Sequence, residues 1–260
     1  MTIGPDRSNG SFVQSLDKGL AVIRAFSRSQ PRLRLTDVAR ETGLTRAAAR
    51  RFLLTLETLG YVGSDGHQFY LRPRVLELGY AFLSSFGVVE IAQDHLEQLA
   101  AELHESCSAS VLDGHDITYV ARASTNRIMT IALSVGTRLP AYATSMGRVL
   151  LAAQSPDDLD RFLATVKLEP LTRGTITDPE ALRAVVGQVR AQGWSIVDQE
   201  LEDGVRSVAV AVHDARGAVV AAINTSAHAA RVPLRRLQKE FLPLLRRTGA
   251  AIDADLRSVR

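Results

Sequence analysis

Cysteine is nearly absent from this chain of 260 residues, which has only Cys107. A single thiol excludes an internal disulfide framework and is typical of a protein in a reducing compartment. No apolar stretch approaches the length needed to cross a bilayer, and residues 1–11, MTIGPDRSNGS, lack the apolar core of a signal peptide. We therefore expect residues 1–11 to be a disordered lead and the protein to be cytoplasmic, without a membrane partner.

Recognisable catalytic and metal-binding motifs are absent as well. The sequence has no Gly-x-Ser-x-Gly, no glycine-rich phosphate loop and no Cys–His motif. His104 and Cys107 lie three residues apart, a gap compatible with a metal, but two ligands without a third usually arise by chance. We expect no catalytic residues, no metal site and no cofactor, and the chain is not predicted to be an enzyme.

The charge is small overall but unevenly distributed. The formal net charge is +3, and residues 1–74 carry 12 Lys and Arg against 6 Asp and Glu. The remaining residues carry 19 against 22, so a head of charge +6 precedes a body of charge −3. This asymmetry is typical of a nucleic-acid-binding domain joined to a domain with another task, and the length favours two domains.

Residues 36–62, TDVARETGLTRAAARRFLLTLETLGYV, have the pattern of a helix-turn-helix. We expect Thr36 to cap a first helix that ends at Gly43, since glycine readily takes the positive φ of a helix stop. Thr45 should cap a second helix that runs to about Leu59. Its inward face is predicted from residues spaced three or four apart, namely Ala49, Phe52, Leu53, Leu56 and Leu59.

The first turns of this second helix combine small and basic side chains: Arg46, Ala47, Ala48, Arg50 and Arg51. Alanines allow the backbone to approach base edges, and arginines reach phosphates or guanine. An ordinary solvated helix pair is the alternative, because helix–Gly–helix hairpins are common. The combination of tight turn, composition and a following hairpin favours a recognition helix.

The following hairpin predicts a wing. Two β-prone runs, residues 60–63 and 68–71, flank Asp65-Gly66, a strong hairpin signal. We expect Thr36, Thr45, Arg46, Ala47, Arg50, Arg51, His67 and Arg72 to contact DNA, and Arg74 could touch a phosphate. Upstream, Ser15 is expected to cap a third helix with an inward face of Leu16, Leu20, Ile23 and Phe26.

The domains predicted are a winged helix-turn-helix over residues 12–73, a linker helix over 74–87 and a second domain over 88–260. In the second domain, hairpin signals at Asp113-Gly114 and 214–217 alternate with helical segments. Strands are expected near residues 108–112, 117–121, 127–135, 194–197, 207–213 and 219–225. The fold class is therefore α+β, an antiparallel sheet with helices packed on it.

One segment of the second domain has the features of an anion site. A loop leads into a helix capped by Thr144 or Ser145, which leaves backbone N–H groups of Met146, Gly147 and Arg148 at its start. Helix N-termini bind carboxylates, and Arg148 could add a bidentate partner. Asn224 and Ser226 lie two apart on one strand face and suggest a pocket, although one hydrogen-bonded core pair would look the same.

Four segments together resemble the IclR-type bacterial transcription regulators. They are VQSLDKGLAVIRAF, RLTDVARETGLTRAAARRFLLTLETLGYV, RLPAYATSMGRVLLA and GWSIVDQELEDGVRSVAVAVHDARGAVVAAINTS. The resemblance implies a winged helix-turn-helix, a linker helix and a GAF-like effector-binding domain. It also implies operator DNA as partner, pairing through the N-terminal domains, and a homodimer or a tetramer built as a dimer of dimers.

Carried over by resemblance, the effector pocket includes Ser145, Met146, Asp198, Val205, Ser207, Asn224 and Ser226. The chain departs from glyoxylate-responsive members, since Arg148 replaces a usual Lys, Asn224 a common Ser, and Val197 an occasional acid. A small carboxylic acid is the expected effector, and RLPAYATSMGRVLLA is most similar to the branch that controls aromatic-acid catabolism. Two other functions stay open: an architectural DNA-binding protein without a ligand, and an enzyme domain fused to a DNA-binding head.

Overall fold

The computed structural model describes residues 12–27, 29–85, 87–124 and 133–258. The chain divides into two compact units, Ile3–Ser85 and Phe86–Arg260. The expected disordered lead, residues 1–11, lies outside the described residues. Across the described residues, no helix has both the length and the apolar character needed to cross a membrane.

The N-terminal unit is a three-helix core with a small antiparallel sheet. Its sheet has the order β1-β3-β2, and Val22, Val38 and Leu53 are fully buried at the centre of the core. A 3₁₀ turn at Pro73–Leu76 leads into the last helix of the unit. The elements are α1 (Gln14–Arg24), β1 (Arg32–Leu33), α2 (Leu35–Thr42), α3 (Arg46–Thr58), β2 (Val62–Ser64), β3 (Phe69–Leu71) and α4 (Glu77–Ser85).

Of the three helix caps predicted in this unit, the structure confirms one and contradicts two. The Thr45 hydroxyl accepts a hydrogen bond from the Ala48 N–H (3.2 Å), as predicted. Thr36 is not a cap, because α2 already begins at Leu35 and Asp37 accepts from the Arg34 N–H (3.1 Å) instead. Ser15 is also not a cap, since α1 begins one residue earlier, at Gln14.

The predicted inward faces of α1 and α3 are wrong at their ends. Leu16 is 62% exposed and Leu59 is 50% exposed, and Leu20 is exposed as well. In α1 the fully buried side chain is Val22, which was not predicted. The rest of this unit covers only part of the apolar face of α1, so Leu16 and Leu20 stay exposed.

The C-terminal unit is built on a six-stranded antiparallel sheet with the order β6-β5-β4-β9-β8-β7, which confirms the α+β class. Most of the strand expected at 127–135 lies outside the described residues, and Leu133–Val135 are not in a strand. The short strand β6 pairs with β5 instead. The strands are β4 (Ser106–Asp113), β5 (Asp116–Ala123), β6 (Arg138–Pro140), β7 (Trp194–Asp198), β8 (Val205–His213) and β9 (Val219–His228).

Helices cover both faces of this sheet and form two apolar cores. One face packs against α5 and α10, and the other against α6 and α8. Residues alternate between these faces along each strand, so one side of each central strand lies beneath α6. The helices are α5 (Val88–Leu103), α6 (Ser145–Ala152), α7 (Pro156–Thr165), α8 (Pro179–Gln192), α9 (Leu234–Arg236) and α10 (Leu242–Ser258), with a π-helical turn at Leu237–Phe241.

Candidate functional site

Helix α3 carries a cluster of exposed basic and small side chains in its first turns. Ala49 and Leu53 point into the core with no exposed surface. The side chains of Arg46, Ala47, Arg50 and Arg51 are all exposed. Ala47 and Arg51 lie on the far side of the helix, whereas Arg46 and Arg50 border the buried face. The predicted recognition residues thus share one accessible surface.

Within the described part of the N-terminal unit, the guanidinium groups on this surface lack an acidic partner. Among the described residues of the unit, no carboxylate pairs with Arg46, Arg50 or Arg51. By contrast, Arg40 is engaged by Asp37 and Glu41. Unpaired arginines on one helix face are available to bind phosphates and guanine bases.

Arg74 has a different environment from the one predicted. Its Nη1 donates to the Leu59 carbonyl oxygen (3.0 Å), and its Nε lies 3.2 Å from the Glu77 carboxylate. The guanidinium carbon also lies 5.5 Å from the centre of the Tyr61 ring. Arg74 therefore holds the end of α3 against the start of α4, with its guanidinium engaged by a carbonyl and a carboxylate.

The acidic residue of the wing, Asp65, is held by hydrogen bonds and an ion pair within the N-terminal unit. The Asp65 carboxylate accepts from the N–H groups of His67 (3.0 Å) and Gln68 (2.8 Å), and these bonds lower the pKa of Asp65 from its usual value. Arg32 also pairs with it at 2.9 Å and lies over the Tyr70 ring. Because the charge is neutralised within the wing, the exposed His67 and the nearby exposed Arg72 can face a phosphate backbone.

Thr144, one of the two predicted caps, begins the helix of the candidate effector site. Its hydroxyl accepts from the Gly147 N–H (3.1 Å), and its carbonyl accepts from the Arg148 N–H (3.0 Å). Among the described residues, the N–H groups of Ser145 and Met146 have no acceptor. The predicted use of the Gly147 N–H for a carboxylate is therefore wrong, because that donor is already occupied.

Gly147 has a packing role in place of the predicted ligand contact. A Cβ atom at this position would overlap the backbone of Ala141. The helix thus packs directly on the 3₁₀ turn that precedes it, Ala141–Ala143, through a position that only glycine can fill without displacement. Gly147 fixes the position of α6 above the sheet.

Two side chains near the start of α6 connect it to the sheet. The hydroxyl oxygens of Ser145 and Ser207, on β8, lie 2.8 Å apart. The Ser110 hydroxyl, on β4, donates to the sulfur of Met146 (3.3 Å). These contacts place Ser145, Met146 and Ser207 together, as the family resemblance implies.

Arg148 does not serve as a free anion-binding group. Its side chain is 2% exposed and makes a two-point ion pair with Glu200, at 2.7 Å and 2.5 Å. Its Nε donates to the Tyr142 carbonyl oxygen (3.0 Å). The prediction that Arg148 binds the effector is therefore wrong, because a carboxylate distant in sequence occupies its guanidinium.

Asp198 is also engaged within the protein. Its Oδ1 lies 2.9 Å from both Nε and Nη2 of Arg206, whose Nη1 donates to the Val232 carbonyl oxygen (2.8 Å). Val205 stands beside them at the start of β8 and is partly buried. Asp198 therefore orients Arg206 at this end of the strands and has one oxygen without a partner among the described residues.

Asn224 is one of five described residues whose buried side-chain polar atom has no hydrogen-bond partner. It is 4% exposed, and its Nδ2 donates to the Ser226 hydroxyl (3.1 Å). Its Oδ1 has no partner among the described residues, and an unpaired buried acceptor is costly. Its register neighbours are Ser108 on β4 and Ala209 on β8, both small, so the sheet face around Asn224 lacks bulky side chains.

Arg122, which the sequence prediction missed, lies on the same face. It is the register partner of Ser108, and its Nη1 donates to the Ser108 hydroxyl (3.1 Å). A β-bulge leaves Val120 without an opposite residue, since Ala109 pairs with Ala121 and Ser110 with Tyr119. The bulge reverses the alternation beyond it and turns Arg122 to the side of Tyr119, an effect that simple counting along the strand does not predict.

Neither metal nor thiol chemistry is indicated by the described residues. Within the described ranges, no group of three or more His, Cys, Asp and Glu side chains could hold a metal ion. Cys107 is buried, and burial raises the pKa of its thiol to about 12. The thiol is therefore protonated at neutral pH and packs as a small apolar side chain.

Comparison with known protein families matches both units. The profile of the IclR helix-turn-helix domain matches residues 15–66. The profile described as the bacterial transcriptional regulator IclR C-terminal domain matches residues 80–254.

The chain is similar in sequence to curated transcription regulators, and it is similar in fold to solved structures. The Pca regulon regulatory protein of Pseudomonas putida is 48% identical over 235 residues, covering 90% of this chain and 81% of that protein. The p-hydroxybenzoate hydroxylase transcriptional activator of Acinetobacter baylyi is 37% identical and covers 92% and 90%, respectively. A crystal structure from Rhodococcus sp. RHA1 is 53% identical, covers 96% of this chain and 100% of its own, and has a TM-score of 0.85.

Proposed function

Because the chain belongs to the IclR family of bacterial transcriptional regulators, we propose that a small aromatic acid sets its affinity for operator DNA. The family consists of transcription regulators, so the predictions of family, fold and non-enzymatic function are confirmed. The named relatives regulate the Pca regulon and p-hydroxybenzoate hydroxylase, which supports an aromatic acid as effector.

The single observation that carries the effector proposal is the unpaired Oδ1 of Asn224. This acceptor is buried on a sheet face of small residues, next to the Ser145–Ser207 contact. A bound acid that carries a hydroxyl group would supply the missing donor. Arg148 and Asp198 then keep α6 and the strand ends in place, and Ser145, Met146, Val205, Ser207 and Ser226 surround the ligand.

Operator recognition is assigned to α3 and the wing. The exposed Arg46, Ala47, Arg50 and Arg51 enter the major groove, while His67 and Arg72 lie along the backbone. Thr45 fixes the start of α3, and Thr36, exposed in the first turn of α2, lies where that helix can meet a phosphate. The regulator acts in the cytoplasm, where bacterial operator DNA lies.

The N-terminal unit also has the surface expected of a dimer. Leu16, Leu20, Leu78 and Tyr80 are exposed, and Tyr80 is 68% exposed. Exposed apolar patches in soluble proteins usually mark interfaces. We assign residues 12–73 to the DNA-binding domain, 74–87 to a connector that helps to pair two copies, and 88–260 to effector binding. Two such dimers would associate to form a tetramer.

The test measures operator affinity with and without the acid. An operator selected from a random duplex library is titrated with full-length protein by fluorescence anisotropy, with 4-hydroxybenzoate or 3,4-dihydroxybenzoate added. We expect a saturable change in affinity, because a ligand shifts DNA binding only if it favours one arrangement of the protein.

Two variants separate the sensor from the DNA-binding unit. Ser207→Val and Asn224→Leu should each remove the response to acid while leaving the affinity measured without acid unchanged. If both variants keep the wild-type response, the effector site lies elsewhere. If neither acid changes the affinity of the wild-type protein, the aromatic-acid proposal is wrong.

A further inference from the structure

Among the described residues of the C-terminal unit, the partly buried Arg122 differs from the two buried arginines in its lack of an acid. Arg148 pairs with Glu200, and Arg206 pairs with Asp198. Among the described residues, Arg122 has no carboxylate partner, and the Ser108 hydroxyl is the acceptor for its side chain. Burial lowers the pKa of Arg122 from its usual value, which reflects the cost of a partly buried cation without an anion.

The backbone that carries this side chain is held in place. The Arg122 N–H donates to Oε1 of Gln93 in α5, and the Arg122 carbonyl accepts from Nε2 of the same amide, both at 3.3 Å. One hydrogen bond to Ser108 leaves the other N–H groups of the guanidinium available, since arginine has five donors. A carboxylate can therefore bind in the two-point geometry that arginine favours.

The register aligns this cation with the unpaired acceptor. Arg122, Ser108 and Asn224 are consecutive partners across β5, β4 and β9, so their side chains share the face beneath α6. Neighbouring strands lie about 4.8 Å apart, which separates the Cα atoms of Arg122 and Asn224 by about 10 Å. Ser108, between them, is one of the smallest side chains on this face.

We propose that Arg122 binds the carboxylate of the effector and that Asn224 Oδ1 accepts a hydrogen bond from a hydroxyl group at the opposite end of the ring. This assignment rests on the proposed function, namely that this sheet face binds a small aromatic acid. The effector carboxylate would then bind at Arg122 on β5, whereas the sequence predicted it at the start of α6. The ligand class is a hydroxybenzoate, because a rigid ring that carries both groups can span the row from cation to acceptor.

The test compares ligands that differ in one group. Full-length protein is titrated by calorimetry with 4-hydroxybenzoate, its neutral amide 4-hydroxybenzamide, and benzoate, which lacks the hydroxyl. We expect 4-hydroxybenzoate to bind about ten- to hundredfold more tightly than the amide, because the amide loses a charged hydrogen bond. Benzoate should bind about tenfold more weakly than 4-hydroxybenzoate.

Each preference should depend on its own residue. Arg122→Gln should abolish the preference for the acid over the amide and keep the preference for the hydroxyl, and Arg122→Lys should keep part of the first preference. Asn224→Ala should abolish the preference for the hydroxyl and keep the preference for the acid over the amide. Arg216→Gln, at an exposed position of the β8–β9 turn, is the matched control and should behave as wild type.

The outcomes distinguish this assignment from the proposed function. If wild-type protein binds the acid and the amide equally, or if folded Arg122→Gln keeps the acid preference, Arg122 is not the counter-ion, although the sheet face still binds acids. If the wild type binds none of the three compounds, both proposals are overturned. The comparison in the wild type needs no variant, so a failure of Arg122→Gln to fold leaves the proposal testable.

Discussion

Arg148 and Glu200 form a two-point ion pair between α6 and the loop that follows β7, although 52 residues separate them in the sequence. The Glu200 carboxylate also accepts from the Ile176 N–H (3.3 Å), and its backbone carbonyl accepts from the Thr175 hydroxyl (2.6 Å). Three segments of the effector unit therefore meet at one carboxylate. This junction holds the loop between Asp198 and Val205 in place.

Removal of the Arg148 guanidinium should destabilise the protein strongly. Arg148→Ala leaves the Glu200 carboxylate, whose side chain is 12% exposed, without its cation. Breaking a buried pair on one side costs about 3–5 kcal/mol. Urea unfolding monitored by circular dichroism measures this loss, and the exposed Arg183→Ala, which breaks a surface pair with Asp160, should cost at most about 1 kcal/mol. Equal midpoints for the two variants would contradict the structural role of Arg148.

Two glycines in helices should respond to alanine in opposite directions. Gly147→Ala should lower the unfolding temperature, because the new methyl group would overlap the Ala141 backbone. Gly187→Ala, in α8, meets no atom within 4 Å and should stabilise by up to about 1 kcal/mol through helix propensity. Differential scanning calorimetry compares the two variants, and a stabilised Gly147→Ala would show that α6 does not rest on that turn.

Substitutions on the recognition face should affect operator binding without affecting stability. Arg46→Ala and Arg50→Ala each remove an exposed, unpaired guanidinium, at an expected cost of about 1–3 kcal/mol in binding for a base contact. Exposed substitutions of this kind rarely alter folding. Arg40→Ala is the matched control, since that side chain is engaged by Asp37 and Glu41. Wild-type operator affinity in both test variants would remove α3 from the DNA contact.

Pairing of the N-terminal units should depend on the apolar side chains of the connector. Leu78→Asp places a charge on an exposed apolar surface and should convert the dimer into a monomer with weak operator affinity. Two-fold proteins match palindromic half-sites, so a monomer loses the second half-site. Light scattering at micromolar concentration measures the mass, with Leu171→Asp in the effector unit as the control. A wild-type protein that is monomeric and yet has full operator affinity would contradict the dimer.

The sequence predicted local features best where their determinants are adjacent in the chain. Gly43 ends α2 with a left-handed stop, and Thr45 and the spacing from Ala49 to Leu56 define α3 by capping and periodicity. The structure contains all of these features. Leu16 and Leu59 follow the same periodicity but are exposed. Periodicity shows which face is apolar, and it does not show whether that face is covered by the same chain.

The effector site was less predictable because its contacts are distant in sequence. Arg148 looked available until folding brought Glu200 to it, and the Gly147 N–H is taken by the side chain of Thr144. Arg122 was missed because a bulge decides its direction, and bulge positions are not encoded in the alternation of polar and apolar residues. The resemblance to a family named Ser145 and Ser207 together, and their hydroxyl oxygens lie 2.8 Å apart; their role in binding an effector stays a prediction.

The two hydrogen bonds between Gln93 and the Arg122 backbone have a mechanical consequence. Gln93 lies in the second turn of α5, six residues after Gly87, where the connector segment ends. A displacement of the strand at Arg122 therefore also displaces α5, because one glutamine amide joins the helix to the strand's main chain at two points. An effector that moves Arg122 thus moves a helix on the opposite face of the sheet as well.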